Sequence, residues 1–228
     1  GNTNLIDANN PVTETSDTTP PTVSSAQLDY NNGTLSVTFS EKVFGQPTLK
    51  TTYFHLNNTD GSNASGFALS QVPAAGNKQT VAFSLTEAQR ATALFMSGVQ
   101  GSLETPPIAV FLNLDIGAIT DMAGVSNTSA ITGVNLAVSP NGEIPDTTAP
   151  ILNSVGASSL HAAGDTITLT FNEVMNTSTI ADSVSTLTLQ YADDAAGTNA
   201  ITIPKAYATV AWSGILDKTI ATITLNEA

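Results

Sequence analysis

One sentence of this sequence is written twice. Asp17 to Val43 reads DTTPPTVSSAQLDYNNGTLSVTFSEKV, and Asp146 to Val174 reads DTTAPILNSVGASSLHAAGDTITLTFNEV. Each copy has an Asp-Thr-Thr-x-Pro turn, a strand, a hairpin, a second strand ending in Phe, and a Glu two places further on. The copies start 129 residues apart. That spacing is too long for a solenoid repeat and suits one β-sandwich domain. The repeat therefore predicts an all-β chain of tandem immunoglobulin-like β-sandwich domains. Its parts are residues 1–16, the last strand and linker of a preceding repeat; residues 17–145, a complete domain; and residues 146–228, an incomplete second domain. The second copy is expected to lack the helix and the last two strands of the first.

Within the first copy, residues 23–28 read as a strand, and Asn32-Gly33 closes a hairpin because Asn-Gly readily takes positive φ. Leu35, Val37 and Phe39 alternate with polar residues, as do Val81, Phe83 and Leu85, which is the period of a half-buried strand. Residues 54–56 and 67–69 are weaker strands, with a loop at 57–66. Thr86 and Gln89 have capping-box spacing ahead of EAQRATALFM, so one short helical insert per domain is expected at 87–96, with Gly98 suited to its end. An apolar strand at 106–114, a turn-rich connection at 117–127 and a strand at 134–138 finish the copy. In the second copy Ile167, Leu169 and Phe171 correspond to Leu35, Val37 and Phe39, and Ala221, Ile223 and Leu225 correspond to Val81, Phe83 and Leu85.

Charge narrows the partners. Nineteen acidic side chains face six basic ones, a formal net charge of −13. Nucleic acid and anionic membrane surfaces need clustered Lys and Arg, so cations are the expected partners instead. The chain has no cysteine, which removes disulfides, zinc thiolates and cysteine nucleophiles. No stretch is apolar and long enough for a transmembrane segment, and no signal-peptide pattern is present, so a mature or processed chain or a fragment is expected. Glycosylation sequons at Asn32, Asn57, Asn63, Asn127 and Asn176 matter if the protein is exported.

The repeated acids are the candidate site. Glu41 shares strand parity with Phe39, and Glu173 with Phe171, so each Glu leans toward the core face at the end of its strand. An unpaired carboxylate there is costly to desolvate, and calcium, which takes six to eight oxygens, would relieve it. Asp17 and Asp146 stand at the domain entrances, and Asp121 lies in a loop expected at the same pole. The expected metal sites are Asp17, Glu41 and Asp121 for one calcium ion, with Asp146 and Glu173 forming part of a second. The alternative is that both Glu residues are solvated and the Asp residues cap turns.

Taken together, DTTPPTVSSAQLDYNNGTLSVTFSE, FHLNNTDGS, VAFSLTEAQRATALFMSG and GAITDMAGVSN resemble the tandem immunoglobulin-like repeats of archaeal surface-layer proteins, most closely those of ammonia-oxidising archaea. The resemblance implies an extracellular, cell-surface structural protein that self-associates into an S-layer lattice, is often glycosylated and often depends on divalent cations. Two alternatives stay open: a subunit of an extracellular filament assembled head to tail by strand exchange, and an adhesin repeat. An enzyme is not expected. His55 reads as a packed or edge residue, His161 as a solvated turn residue, and Asp193-Asp194 as a turn. There is no G-x-S-x-G, H-E-x-x-H or P-loop motif. Trp212, the single tryptophan, is a core or contact residue.

Overall fold

The computed structural model describes residues 14–58, 66–97, 110–136, 142–158, 164–175, 188–189, 201–202, 207–213 and 219–226. Most of residues 1–16, together with Asn63, His161, Asn176, Asp193 and Asp194, lies outside the described residues.

The structure is mostly β, and its first half is two sheets around one core. Strands β1 (Val23–Asp29), β2 (Thr34–Val43), β5 (Lys78–Ser84) and β8 (Glu143–Ile144) form a sheet in the order β5-β2-β1-β8. Strands β3 (Phe54–Asn57), β4 (Phe67–Ala68), β6 (Phe111–Leu114) and β7 (Ile131–Asn135) form another in the order β4-β3-β6-β7. The alternating side chains explain why the sheets stack. Leu28, Leu35, Val37, Phe39 and Phe83 point from the first sheet into the same buried cluster as Phe54, Leu56, Leu112 and Leu114 from the second. Phe54 and Phe83 meet across that core with ring centroids 4.7 Å apart. Every buried residue of the cluster falls between Ala26 and Leu136, so this core closes without a residue of the second half.

The helix α1 (Glu87–Met96) starts as its sequence dictates. The Thr86 side chain accepts from the Gln89 amide at 3.2 Å, and the Gln89 side chain accepts from the Thr86 amide at 3.1 Å. Two amides that a helix start leaves unpaired are thereby satisfied. In the first half one strand, β8, has no counterpart in the sequence reading. Glu143–Ile144 lies in the stretch expected to be a linker, yet it pairs parallel with β1, Leu28 facing Glu143 and Asp29 facing Ile144. Tyr30 holds it in place, its hydroxyl donating to Glu143 at 2.5 Å.

In the second half, strands β9 (Leu152–Ala157), β10 (Thr166–Phe171), β13 (Ala208–Trp212) and β14 (Ile220–Leu225) form a sheet in the order β13-β14-β10-β9, and β11 (Thr188–Leu189) pairs with β12 (Ile201–Thr202). The repeat in the sequence is a repeat in register. Ala26 faces Val37 and Leu28 faces Leu35; Val155 faces Leu169 and Ala157 faces Ile167. Both pairs of strands carry a bulge at the same point, beside Val23 and beside Leu152. Beyond the bulge the Ser40 amide donates to Thr22 O at 2.9 Å, and the Asn172 amide to Ile151 O at 3.0 Å. Strand β13 departs from the first copy: it adds an edge beside β14 where β5 has none among the described residues, with Trp212 stacked on Phe171 at 6.1 Å.

Phe83 is fully buried and touches the opposite sheet. Phe83→Ala is expected to cost about 3–5 kcal/mol in urea unfolding; a loss below about 1 kcal/mol would contradict the shared core.

Candidate functional site

The structure brings Asp17, Glu41 and Asp121 together, each offering a carboxylate oxygen within 4.8 Å of the others. Three separate elements meet there. Asp17 turns back on itself, accepting from the Thr19 amide at 2.9 Å. Glu41 stands near the end of β2. Asp121 is carried by the 117–127 connection, which is stitched to the strand by a bridge between Val43 and Asp121 and by the Phe44 amide donating to Thr120 O at 2.8 Å.

The loop around Asp121 is rigid for identifiable reasons. Asn127 is its staple: its side-chain oxygen accepts from the Ile119 amide at 3.1 Å, and its Nδ2 donates to Asp115 O at 2.8 Å and Ser129 O at 3.0 Å. Asp121 Oδ1 accepts from the Val125 amide at 2.7 Å. Its Oδ2 is buried with no hydrogen-bond partner among the described residues, in a residue that is 0 % exposed. A buried carboxylate oxygen without a donor is an unfavourable arrangement unless a cation completes it. The donor set is hard oxygen, which fits calcium rather than a soft metal, with carbonyls and water left to fill the remaining positions.

The Glu41 carboxyl titrates above its ordinary value, because of desolvation first and then the neighbouring charges of Asp121 and Asp17.

The second acidic pair is a different object. Where the sequence reading put a second ion between Asp146 and Glu173, the structure puts the guanidinium of Arg90, the only arginine in the chain. Arg90 reaches them from helix α1 and is 6 % exposed. All five of its N–H donors are used. Nε and Nη2 fork onto the two oxygens of Glu87 at 2.7 and 2.8 Å, Nη1 donates to Asp146 at 2.5 Å and to Tyr30 O at 3.1 Å, and Nη2 also donates to Glu173 at 3.2 Å. Arg90 is held protonated above its ordinary value, chiefly by the Glu87 hydrogen bonds and against the opposing effect of burial. Glu173 is pushed up by burial and then by Asp146, with Arg90 pulling the other way.

Around this ion cluster the Tyr30–Gly33 turn grips the connecting segment. Asn31 Nδ2 donates to Pro145 O at 2.9 Å, while Asn31 Oδ1 accepts from the Thr147 amide at 2.8 Å and the Thr147 hydroxyl at 3.0 Å. Glu87 also accepts from the Val174 amide at 2.8 Å. A small cavity of about 150 Å³, lined in part by Asn31, Thr148, Asn172 and Glu173, lies beside these contacts.

The remaining expected residues divide by burial. Asn57 and Asn127 are buried, and Asn127 spends its amide on the loop, so neither presents a glycan acceptor in this fold. Asn32 is exposed in its turn. His55 is partly buried on β3, its Nε2 at 2.8 Å from Asp115. The sequence reading missed Arg90. Its signals were its uniqueness as an arginine and its place three residues after Glu87 on a capped helix.

Comparison with protein-family models, with curated proteins and with solved structures found no match.

A raised carboxyl binds its proton more tightly in the folded than in the unfolded state. The stability Glu41 contributes is therefore full below the ordinary carboxylate value of about 4.3 and is lost as pH rises through its raised value. In chelator, lowering the pH from about 7 toward 5 is expected to raise this contribution to the melting temperature. Glu41→Gln should raise the melting temperature at pH 7 in chelator and flatten that dependence. A Glu41→Gln protein that melts lower in chelator would contradict the repulsive trio.

Proposed function

We propose that this chain is a structural, cell-surface protein: a run of tandem immunoglobulin-like β-sandwich domains that serves as a component of an S-layer lattice, with no catalytic role. The observation that carries this reading is the junction at Asp146. A scaffold must hold its neighbouring units at a fixed angle, and a flexible polar linker would not do so. Here one guanidinium bonds the helix of the first half to the entrance and the strand end of the second, and Asn31 clamps the segment between them. The repeated register and repeated bulge support reading the halves as copies of one unit. The resemblance to surface-layer repeats supports the location outside the cell.

Calcium at Asp17, Glu41 and Asp121 is part of the proposal. An ion there would bond the unit's entrance to its strand end and to the Asp121 loop, stiffening that pole as Arg90 stiffens the other. A ligand at 100 times its dissociation constant stabilises by about 2.7 kcal/mol. Millimolar calcium is expected to raise the melting temperature over that in chelator, and Asp121→Asn should abolish the shift; equal melting in both would remove the ion.

The location has its own test. Antibody raised against the chain is expected to label the outside of intact source cells in a continuous layer, and the antigen should be released as sheets or lattice fragments on chelation. Label confined to the cell interior would overturn the reading.

Junction rigidity is testable on the purified chain. Arg90→Ala leaves buried carboxylates uncompensated, a loss of about 3–5 kcal/mol. The variant is expected to show the second half cut by protease under conditions where the first half survives. Unchanged protease resistance of the second half would show that the guanidinium does not hold the junction.

A further inference from the structure

The chain holds two copies of one docking surface, and only one of them has its occupant among the described residues. At the second copy the surface is Asp146, Thr147 and Glu173, and the occupant is the face formed by Asn31, Glu87 and Arg90. At the first copy the corresponding residues are Asp17, Thr18 and Glu41, and they are folded the same way. The Asp17 carboxylate accepts from the Thr19 amide at 2.9 Å, as Asp146 accepts from Thr148 at 2.9 Å. The side chain of Ser40 accepts from the Thr22 amide at 3.0 Å, as that of Asn172 accepts from Ile151 at 2.6 Å.

We infer that the Asp17–Glu41 surface is a receptor for another repeat of this kind, which docks its own Arg90-type face there. Two observations point to a cationic occupant. The surface duplicates one that already holds a guanidinium. It also gathers three carboxylates with no basic partner among the described residues, one of them the buried Asp121, whose Oδ2 has no partner among them either. A planar guanidinium satisfies several carboxylates at once, which an ammonium does less well. The docking goes beyond the surface-layer reading, since it holds for any array of these units. It also sets an arginine in competition with calcium for the same oxygens. Within a tethered array the docking is intramolecular at an effective concentration in the millimolar range, so a weak contact in trans suffices.

The test needs a unit whose Arg90 face is free. Residues 14–145 contain the whole first core and end before Asp146. This probe carries Asp17→Asn and Glu41→Gln, so that it cannot dock on itself. It is titrated into the full chain in chelator at low salt. The expected result is saturable one-to-one binding, weakened at least tenfold by Arg90→Ala in the probe and equally by Asp17→Asn with Glu41→Gln in the full chain. Calcium should weaken it as well. No binding up to about 1 mM probe, or binding indifferent to these substitutions, overturns the proposal. So does calcium binding at the trio without docking, which would make the surface a metal site only. A second arm does not depend on the fragment. The full chain with Asp146→Asn and Glu173→Gln releases Arg90 and is expected to form concentration-dependent oligomers in sedimentation. Adding Asp17→Asn with Glu41→Gln should return it to monomer, and oligomers that persist would count against the proposal.

Discussion

The junction rests on one guanidinium. Glu87, Asp146 and Glu173 converge in a partly desolvated place, and among the described residues Arg90 is the single positive charge that pairs with them. Burying charges costs several kcal/mol per ion unless geometry repays it. Here the repayment is geometric: the forked contact with Glu87 fixes the plane of the guanidinium, and the remaining donors then point at Asp146, Glu173 and the Tyr30 carbonyl. Lysine would present three donors on a flexible stem and could not occupy this plane. The helix exists in part to hold that fork. Its capping box places Glu87 in the first turn and Arg90 one turn later, on the same face.

The acidity of the chain makes this contact matter more. With 19 acidic and six basic side chains, most carboxylates must find water, amides or added cations. The fold uses amides wherever a turn allows: Asp17, Asp29, Asp121 and Asp146 each accept from a backbone N–H within their own loop. These local bonds leave the second oxygen of a carboxylate over. At Asp146 that oxygen finds Arg90, and at Asp121 it finds no protein partner among the described residues. Arg90 thus balances Asp146 at one pole, where Glu173 Oε1 is still without a partner among the described residues, while Asp121 Oδ2 has none at the other, although the strands that lead to them pair in matching register.

Much of this was legible in the sequence because it depends on local pattern. The alternation of Leu35, Val37 and Phe39, the Asn32-Gly33 turn and the Thr86–Gln89 cap each act over a few residues, and each stands where the pattern put it. The meeting of Asp17, Glu41 and Asp121 was legible too, since strand parity and loop position place all three at one pole. The guanidinium was not. Asp146 and Glu173 look in sequence like Asp17 and Glu41, and only the path of the chain past the Tyr30–Gly33 turn brings helix α1 to them. Strand β8 was illegible for the same reason: two residues after a polar run carry no period, and it is β1 and Tyr30 that make them a strand. At Asn127 the sequon motif is met by a side chain that serves a loop.

The two halves differ in burial at matched positions of the repeat, and the junction contacts fall where they meet. Ala26 and Val155 occupy the same position of the repeated register, yet Ala26 is 1 % exposed and Val155 is 60 % exposed. In the first half two four-stranded sheets share their inner faces. In the second half the buried cluster among the described residues is Ile167, Ala208 and Ile223, with Leu169, Val210 and Leu225 packed against it. Arg90, Asn31 and Glu87 hold three points of that entrance: Asp146 and Thr147 ahead of β9, and the Glu173–Val174 segment just past β10. Because Leu152 faces Phe171, these holds lie at one end of the antiparallel β9–β10 pair, and they tie that end of the hairpin to the first half.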